Sequence, residues 1–256
     1  MGGATRFRYA VFSQPRTGST WLCAHLANLG AFGVPSEYLN EHRIVPNVTR
    51  MFGSADACGP KGAFRLVQYI EAIEREHTTP NGCFGTKIQP NQLMVLTKGN
   101  RDAAAAFLRR FDALIVLSRR DRLGQAVSAA IAETTGLWRN DGSEPDISSV
   151  PMDKLLRMTG IYLGRHLAAD GVMRRLCRAA GRPRLELVYE DMIADPDRTL
   201  QAVVQFLGQP DAIGSARDEQ VVAVPERPPG RVAAAVRARF IEFIEGRDVR
   251  SREPTP

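Results

Sequence analysis

The stretch Tyr9-Ala-Val-Phe-Ser-Gln-Pro-Arg-Thr-Gly-Ser-Thr-Trp-Leu22 decides how the rest of the chain is read. An apolar, β-prone run from Tyr9 to Phe12 stops at Ser13, and a cluster of turn-forming residues fills Gln14 to Gly18. From Ser19 onward apolar residues recur at helical spacing, at Leu22, Leu26 and Leu29. The pattern predicts strand, tight loop, helix. Such a loop aims several backbone N–H groups and the positive end of a helix dipole at one point, which suits a phosphate or a sulfate.

Laid against the nucleotide-binding pattern G-x-x-x-x-G-K-[ST], the register is Ser13-x-x-x-x-Gly18-Ser19-Thr20. The spacing is kept, but the first glycine is Ser13 and the phosphate-reaching lysine is Ser19. The only cation of the loop is Arg16. An anion cradle other than the usual ATP or GTP cradle is expected, and an ordinary βα turn with a capped helix is the plainer alternative.

Further along, strands and helices alternate. Helices are expected near 63–76, 103–110, 120–134, 152–180, 197–207 and 231–245. Strands are expected at Cys83–Ile88, closed by Pro90, at Phe111–Leu117 and at Arg184–Tyr189. Residues 41–62, punctuated by Pro46, Gly53, Gly59 and Pro60, read as irregular, as do 211–230. The polar stretch 136–151 reads as a loop of the kind that often covers active sites. This order predicts an α/β protein: a P-loop-like three-layer fold with a central, mainly parallel sheet flanked by helices, binding its ligand at the carboxyl ends of the strands. We expect one domain over 1–246 and a disordered tail over 247–256.

Composition narrows the function. Thirty-four basic against 28 acidic residues give a formal charge of +6, which suits acidic ligands. Aromatic residues make up only 7%, and no aromatic-rich RNA-binding motif is present, so nucleic acid is not the expected partner. Cys23, Cys58, Cys83 and Cys177 are scattered without a C-x-x-C pair, which reads as buried thiols in a reducing cytosol and not as a zinc site. No apolar stretch has membrane-spanning length, and Met1-Gly-Gly-Ala-Thr-Arg6 lacks a signal-peptide core, so the expected location is cytoplasmic.

A second anion site is expected where the most apolar strand runs into Ser118-Arg-Arg-Asp-Arg122. A magnesium-dependent nucleotidase would end this strand in an aspartate; two arginines stand there instead. Arg120 and Ser128 are eight residues apart, about two helical turns, so a guanidinium at the helix start and a hydroxyl further along suit one phosphate.

Together these stretches resemble the two donor-binding motifs of sulfotransferases that use 3′-phosphoadenosine 5′-phosphosulfate. Pro15-Arg-Thr-Gly-Ser-Thr-Trp-Leu22 meets the first, P-[KR]-[ST]-G-[ST]-[ST]-W-L, and Arg120 with Ser128 meets the second. Val188-Tyr-Glu-Asp-Met192, then Asp195-Pro196 and Phe206-Leu-Gly208, recur in the same family. The closest likeness is to the bacterial trehalose 2-sulfotransferase group, through Ser13 to Thr20, Gly33-Val-Pro-Ser-Glu-Tyr38 and Arg119 to Ser128.

The resemblance implies that Arg16, Thr17, Gly18, Ser19 and Thr20 hold the 5′-phosphosulfate. Arg120 and Ser128 would hold the 3′-phosphate, joined by Arg227 or Arg231. Trp21 either stacks on the adenine or belongs to the core. It implies sulfuryl transfer to a hydroxyl of a carbohydrate or glycosylated small molecule, with adenosine 3′,5′-bisphosphate as product and no metal, and it suggests a homodimer. Glu37 matches the group's catalytic carboxylate; the strand Thr86-Lys-Ile-Gln-Pro90 has no histidine to serve instead. A desolvated Glu37 with a raised pKa is the expected base, Arg16 the expected stabiliser of the leaving group, and His42 and Lys87 the expected neighbours of the substrate. The alternatives are a P-loop kinase or NTPase, disfavoured by Ser19 and by Arg119 and Arg120, and a non-enzymatic nucleotide-binding protein.

Overall fold

In the computed structural model the described residues are 5–52, 66–139, 142–208, 222–225 and 230–246. Strand β1 (Phe7–Ser13) is buried from Tyr9 onward, because its side chains alternate between two apolar layers. Around it run β2 (Cys83–Ile88), β3 (Ala113–Ser118) and β4 (Arg184–Val188), in the spatial order β2-β1-β3-β4. Every pairing is parallel, with Tyr9 opposite both Gly85 and Ala113. The expected parallel α/β architecture is present.

The described residues divide into two compact units. One runs to Ser118 and resumes from Gly171 to Val224; the other comprises Arg119–Asp170 and the residues from Pro225 onward.

The first unit holds the sheet. Ala10, Phe12, Phe84, Ile88 and Leu114 face a core shared with α2 (Glu41–Phe52), α3 (Leu66–His77), α5 (Arg101–Leu108) and the last turns of α7 (Met152–Ala180). Tyr9, Val11, Ile115 and Leu117 face the other layer, α1 (Ser19–Asn28), α8 (Tyr189–Ala194) and α9 (Pro196–Phe206). Between α1 and α2 the chain passes along the outer edge of β2. The Tyr9 hydroxyl donates to the Phe32 carbonyl at 2.8 Å, and the Lys87 N–H donates to the Ser36 carbonyl at 2.9 Å. Gly33 makes this approach with φ +76°, and a Cβ there would stand 2.9 Å from the Gly85 nitrogen. The strap covers the sheet edge and carries Glu37 to the carboxyl ends of the strands.

The second unit contains α6 (Arg122–Thr135), α7 as far as Asp170, and α10 (Arg231–Ile244). Its small core packs Ala126, Ala129 and Ala130 against Tyr162, and Val127 and Ile131 against Leu155 and Val236. Arg122 pairs with Asp170 at 2.5 Å, and Arg237 with Asp121 at 2.6 Å.

Three expectations are corrected. Residues 41–52 are helical: Ile44, Val48 and Met51 form a stripe toward the core, while Pro46 lies on the exposed face. Pro90 does not merely close β2; it is the first residue of α4 (Pro90–Leu96), where its missing N–H costs no helical bond. The residues after Val188 form α8, which buries Met192. Cys23, Cys83 and Cys177 are buried free thiols, whereas Cys58, Arg227 and the expected tail at 247–256 lie outside the described residues. Among the described residues no helix is long and apolar enough to cross a membrane, and no cluster of His, Cys, Asp or Glu is arranged to hold a metal.

Candidate active site

The loop after β1 has the backbone of an anion cradle. Arg16 has φ +62° and Gly18 φ +78°, while the intervening Thr17 is not left-handed. Alternating handedness of this kind turns successive N–H groups toward one side. Thr17 closes the loop by donating its hydroxyl to the Gln14 carbonyl at 2.9 Å. Gly18 occupies the cap position of α1 and has no side chain with which to engage the first-turn N–H groups. A Cβ on Gly18 would fall 2.2 Å from Met192 Cε and 2.9 Å from Tyr189 Cδ2, so α8 closes one wall of the loop. The Ser13 hydroxyl at the loop's entrance is buried with no hydrogen-bond partner. An anion fits these groups, since the first-turn amides that no side chain caps and the orphaned hydroxyl are all donors.

The other expected residues fall into three places. Ser19 is buried and Thr20 half-buried on the first turn of α1. Trp21 packs partly buried on the apolar layer beside α1, its ring 4.1 Å from that of His25. Arg120 is exposed and Ser128 half-buried, both in the second unit, where Asp121 caps α6 by accepting the Gly124 N–H at 2.9 Å. In the same unit Glu144 accepts the Arg231 N–H at 2.6 Å at the start of α10.

Glu37, Lys87 and Thr20 come together. Lys87 sits near the end of β2 with 9% of its side chain exposed, and its Nζ lies 2.6 Å from Glu37 Oε1. The same ammonium donates to Thr20 Oγ1 at 3.0 Å. One buried cation thus spans the expected base and the expected donor loop. The second oxygen of Glu37 accepts from Gln92 Nε2 at 3.0 Å and from Asn40 Nδ2 at 3.2 Å.

These contacts overturn the expectation of a raised Glu37 pKa. Burial pushes the carboxyl up, but the charge of Lys87 and the hydrogen bonds from Lys87, Asn40 and Gln92 outweigh it and hold the group at about 2. Glu37 is therefore a carboxylate at any physiological pH. Burial also pushes the neighbouring Cys23 thiol up to about 12, opposed by Lys87 and reinforced by Glu37, so that thiol stays protonated.

His42 stands on the face of α2 that lines a cavity of about 590 Å³, with Arg43, Asn47 and Arg50 from the same helix. Ser36 and Tyr38, the neighbours of Glu37 in the chain, line it too, and Tyr38 stacks on His77 at 4.9 Å. Glu37 is not among its lining residues; its carboxylate lies against β2 and α4.

The sequence reading missed Asn40 and Gln92, and it took Tyr189 and Met192 as part of a family feature without placing them against the loop. The first two had a legible signal: an amide residue at a helix start, and Gln89-Pro-Asn-Gln92 as a capping box with proline at the first helical position. Tyr189 and Met192 act through a tertiary contact with Gly18, for which no local signal exists.

A comparison with curated proteins finds no match. Among solved structures, the chain is similar to the sulfotransferase domain from the Synechococcus PCC 7002 olefin synthase. Identity is 14%, the TM-score is 0.43, and the alignment covers 100% of this chain and 98% of that one. The sequence model of the Stf0 sulphotransferases matches residues 8–221, a span that takes in the β1–α1 loop, Glu37, Lys87, Arg120 and Ser128, and the chain belongs to the Stf0 sulphotransferase family.

Proposed function

We propose that this sulfotransferase moves the sulfuryl group of 3′-phosphoadenosine 5′-phosphosulfate to a hydroxyl of a carbohydrate or glycosylated small molecule, with Glu37 as general base. The observation that carries this reading is the Lys87 ammonium, held between the Glu37 carboxylate and the Thr20 hydroxyl of the donor loop. In this reading Arg16 and the N–H groups of Thr17 to Thr20 receive the 5′-phosphosulfate. Arg120 and Ser128 receive the 3′-phosphate, and Trp21 lies by the adenine. The α2 face bearing His42, with its guanidiniums, amide and stacked Tyr38–His77 pair, suits the polar remainder of the acceptor.

The chemistry follows from what these groups do to charge. The acceptor oxygen forms a bond to sulfur as the bond between sulfur and the 5′-phosphate oxygen breaks, and the hydroxyl proton passes to Glu37. The electron pair leaves on adenosine 3′,5′-bisphosphate, where Arg16 and the loop amides oppose the growing negative charge. A carboxylate held at about 2 is a weak base. The arriving donor brings negative charge that draws Lys87 toward Thr20, and the burial of Glu37 then raises its basicity. Base strength would thus rise only when a donor is present.

The reading is tested by thermal shift. Adenosine 3′,5′-bisphosphate is expected to raise the melting temperature by several degrees and AMP or ATP much less, and Arg120→Ala to abolish that preference. Equal stabilisation by ATP, or an Arg120→Ala variant that keeps the preference, overturns the assignment.

A further inference from the structure

Glu37 is approached by two helix caps, and both are primary amides whose orientation is settled by the backbone. Asn40 stands at the start of α2, and its Oδ1 accepts the His42 N–H at 3.0 Å. Gln92 closes the capping box of α4, and its Oε1 accepts the Gln89 N–H at 3.2 Å. An amide has one oxygen and one NH2 group. With each oxygen committed to a main-chain donor, each NH2 group must face away from its helix, and both meet the same atom, Glu37 Oε2.

A carboxylate oxygen has two lone pairs, and at Oε2 both are taken. At Oε1 one is taken, by Lys87 at 2.6 Å. We propose that Asn40 and Gln92 are positioning residues that saturate Glu37 Oε2, so that the proton of the acceptor hydroxyl is taken by Oε1, the oxygen beside Lys87. This rests on Glu37 being the general base. It adds a direction to the reaction: the acceptor oxygen must lie on the Lys87 side of the carboxylate, which is also the side of Thr20 and the donor loop. Neither amide can accept a proton in place of donating one, so protonation at Oε2 would displace at least one of its two hydrogen bonds and leave the new O–H facing donors. The titratable groups facing Glu37 are Lys87 from β2 and Cys23 from α1.

The isosteric acids separate positioning from capping. Gln92→Glu and Asn40→Asp each keep an oxygen for the main-chain N–H, and both residues are good caps. Each loses its NH2 donor and places a second carboxylate against Glu37. The full-length protein is labelled with ¹³C at glutamate side chains, and Glu37 is assigned by its loss in Glu37→Gln.

The Glu37 carboxyl is expected to titrate at least about one pH unit higher in either variant. The acid limb of kcat should move the same way, and KM for the donor should hold within twofold. Gln92→Met, which adds no charge, should move both in the same direction by less, and it serves if the acidic variants fold poorly. A Glu37 titration and acid limb left unmoved by all three substitutions overturns the positioning role while leaving the base reading intact. Near-normal kcat in Glu37→Gln removes the base reading and this proposal with it.

Discussion

At the start of α1 the cap position holds Gly18, which has no side chain, and the first-turn amides are not engaged by a cap. At the starts of α2 and α4 the caps are Asn40 and the Gln89–Gln92 pair, each engaging a main-chain N–H and turning its remaining donors on Glu37. All three helix ends lie in the same unit and face the same electrostatic problem, a surplus of N–H donors. On the proposed reading, one keeps the surplus for an anion that arrives from outside. The other two satisfy it internally and spend side-chain donors on an anion that is part of the protein. A ligand's charge must be met by groups that cost nothing when the ligand is gone, whereas a resident carboxylate must be met at all times.

The largest effect follows from removing the resident anion. Glu37→Gln is expected to leave binding of adenosine 3′,5′-bisphosphate within a few-fold of normal and to lower kcat by about 10²–10⁴. Turnover close to normal would show that the two helix caps serve some other purpose. The same variant changes stability in a defined pH window. Glu37 in the fold titrates at about 2, below the ordinary 4.5, so its contribution is complete above 4.5 and is lost as pH falls toward 2. That contribution is roughly 3 kcal/mol. Denaturant unfolding from pH 6 to pH 3 should therefore fall less steeply in Glu37→Gln than in the parent, and parallel curves would show that the carboxylate is not held as the geometry implies.

The donor loop is broken at Gly18. Gly18→Ala puts a side chain at φ +78°, where an L-residue pays about 1–2 kcal/mol, and drives its Cβ against Tyr189 and Met192. Denaturant unfolding should show a loss of about 1–3 kcal/mol. Calorimetry with adenosine 3′,5′-bisphosphate should show at least tenfold weaker binding, as the loop amides turn away from a common point. Unchanged affinity would mean that the amides of this loop do not form the cradle.

How much of this was legible differs between the two corners for a physical reason. The donor loop is local: Tyr9 to Leu22 contains its strand, its turn and its helix, so period and turn chemistry suffice to find it. The sheet is legible in the same way, because each strand is a short apolar run. The Glu37 corner is assembled from the strap, β2, α2 and α4, with Gln92 lying 55 positions beyond Glu37 in the chain. Its charge state depends on which donors the fold brings together, and burial alone would have raised what Lys87, Asn40 and Gln92 lower. Pro46 and Pro90 hid the two helices whose caps do this. Pro90 reads as a stop after a strand and as a start before a helix, and only the Gln at the third helical position tells them apart.

The smallest expected effect sharpens the contrast most. Asn100 caps α5 as Asn40 caps α2, its side chain accepting the Ala103 N–H at 3.0 Å, but it is exposed and is not one of the residues bonded to Glu37, which are Lys87, Asn40 and Gln92. Asn100→Ala should cost about 1 kcal/mol, the ordinary worth of a cap. It should leave kcat, the donor KM and the acid limb of the pH profile unmoved. Asn40→Asp keeps its cap and loses its donor, so it should displace the acid limb, with a folding cost of about 1.4 kcal/mol for each pH unit by which Glu37 rises, a cost that disappears as pH falls below the Glu37 pKa. If Asn100→Ala displaced the limb as far as Asn40→Asp does, the displacement would be a general consequence of loosening a helix in this unit. If only Asn40→Asp moves it, the amide acts through the one carboxylate oxygen it touches.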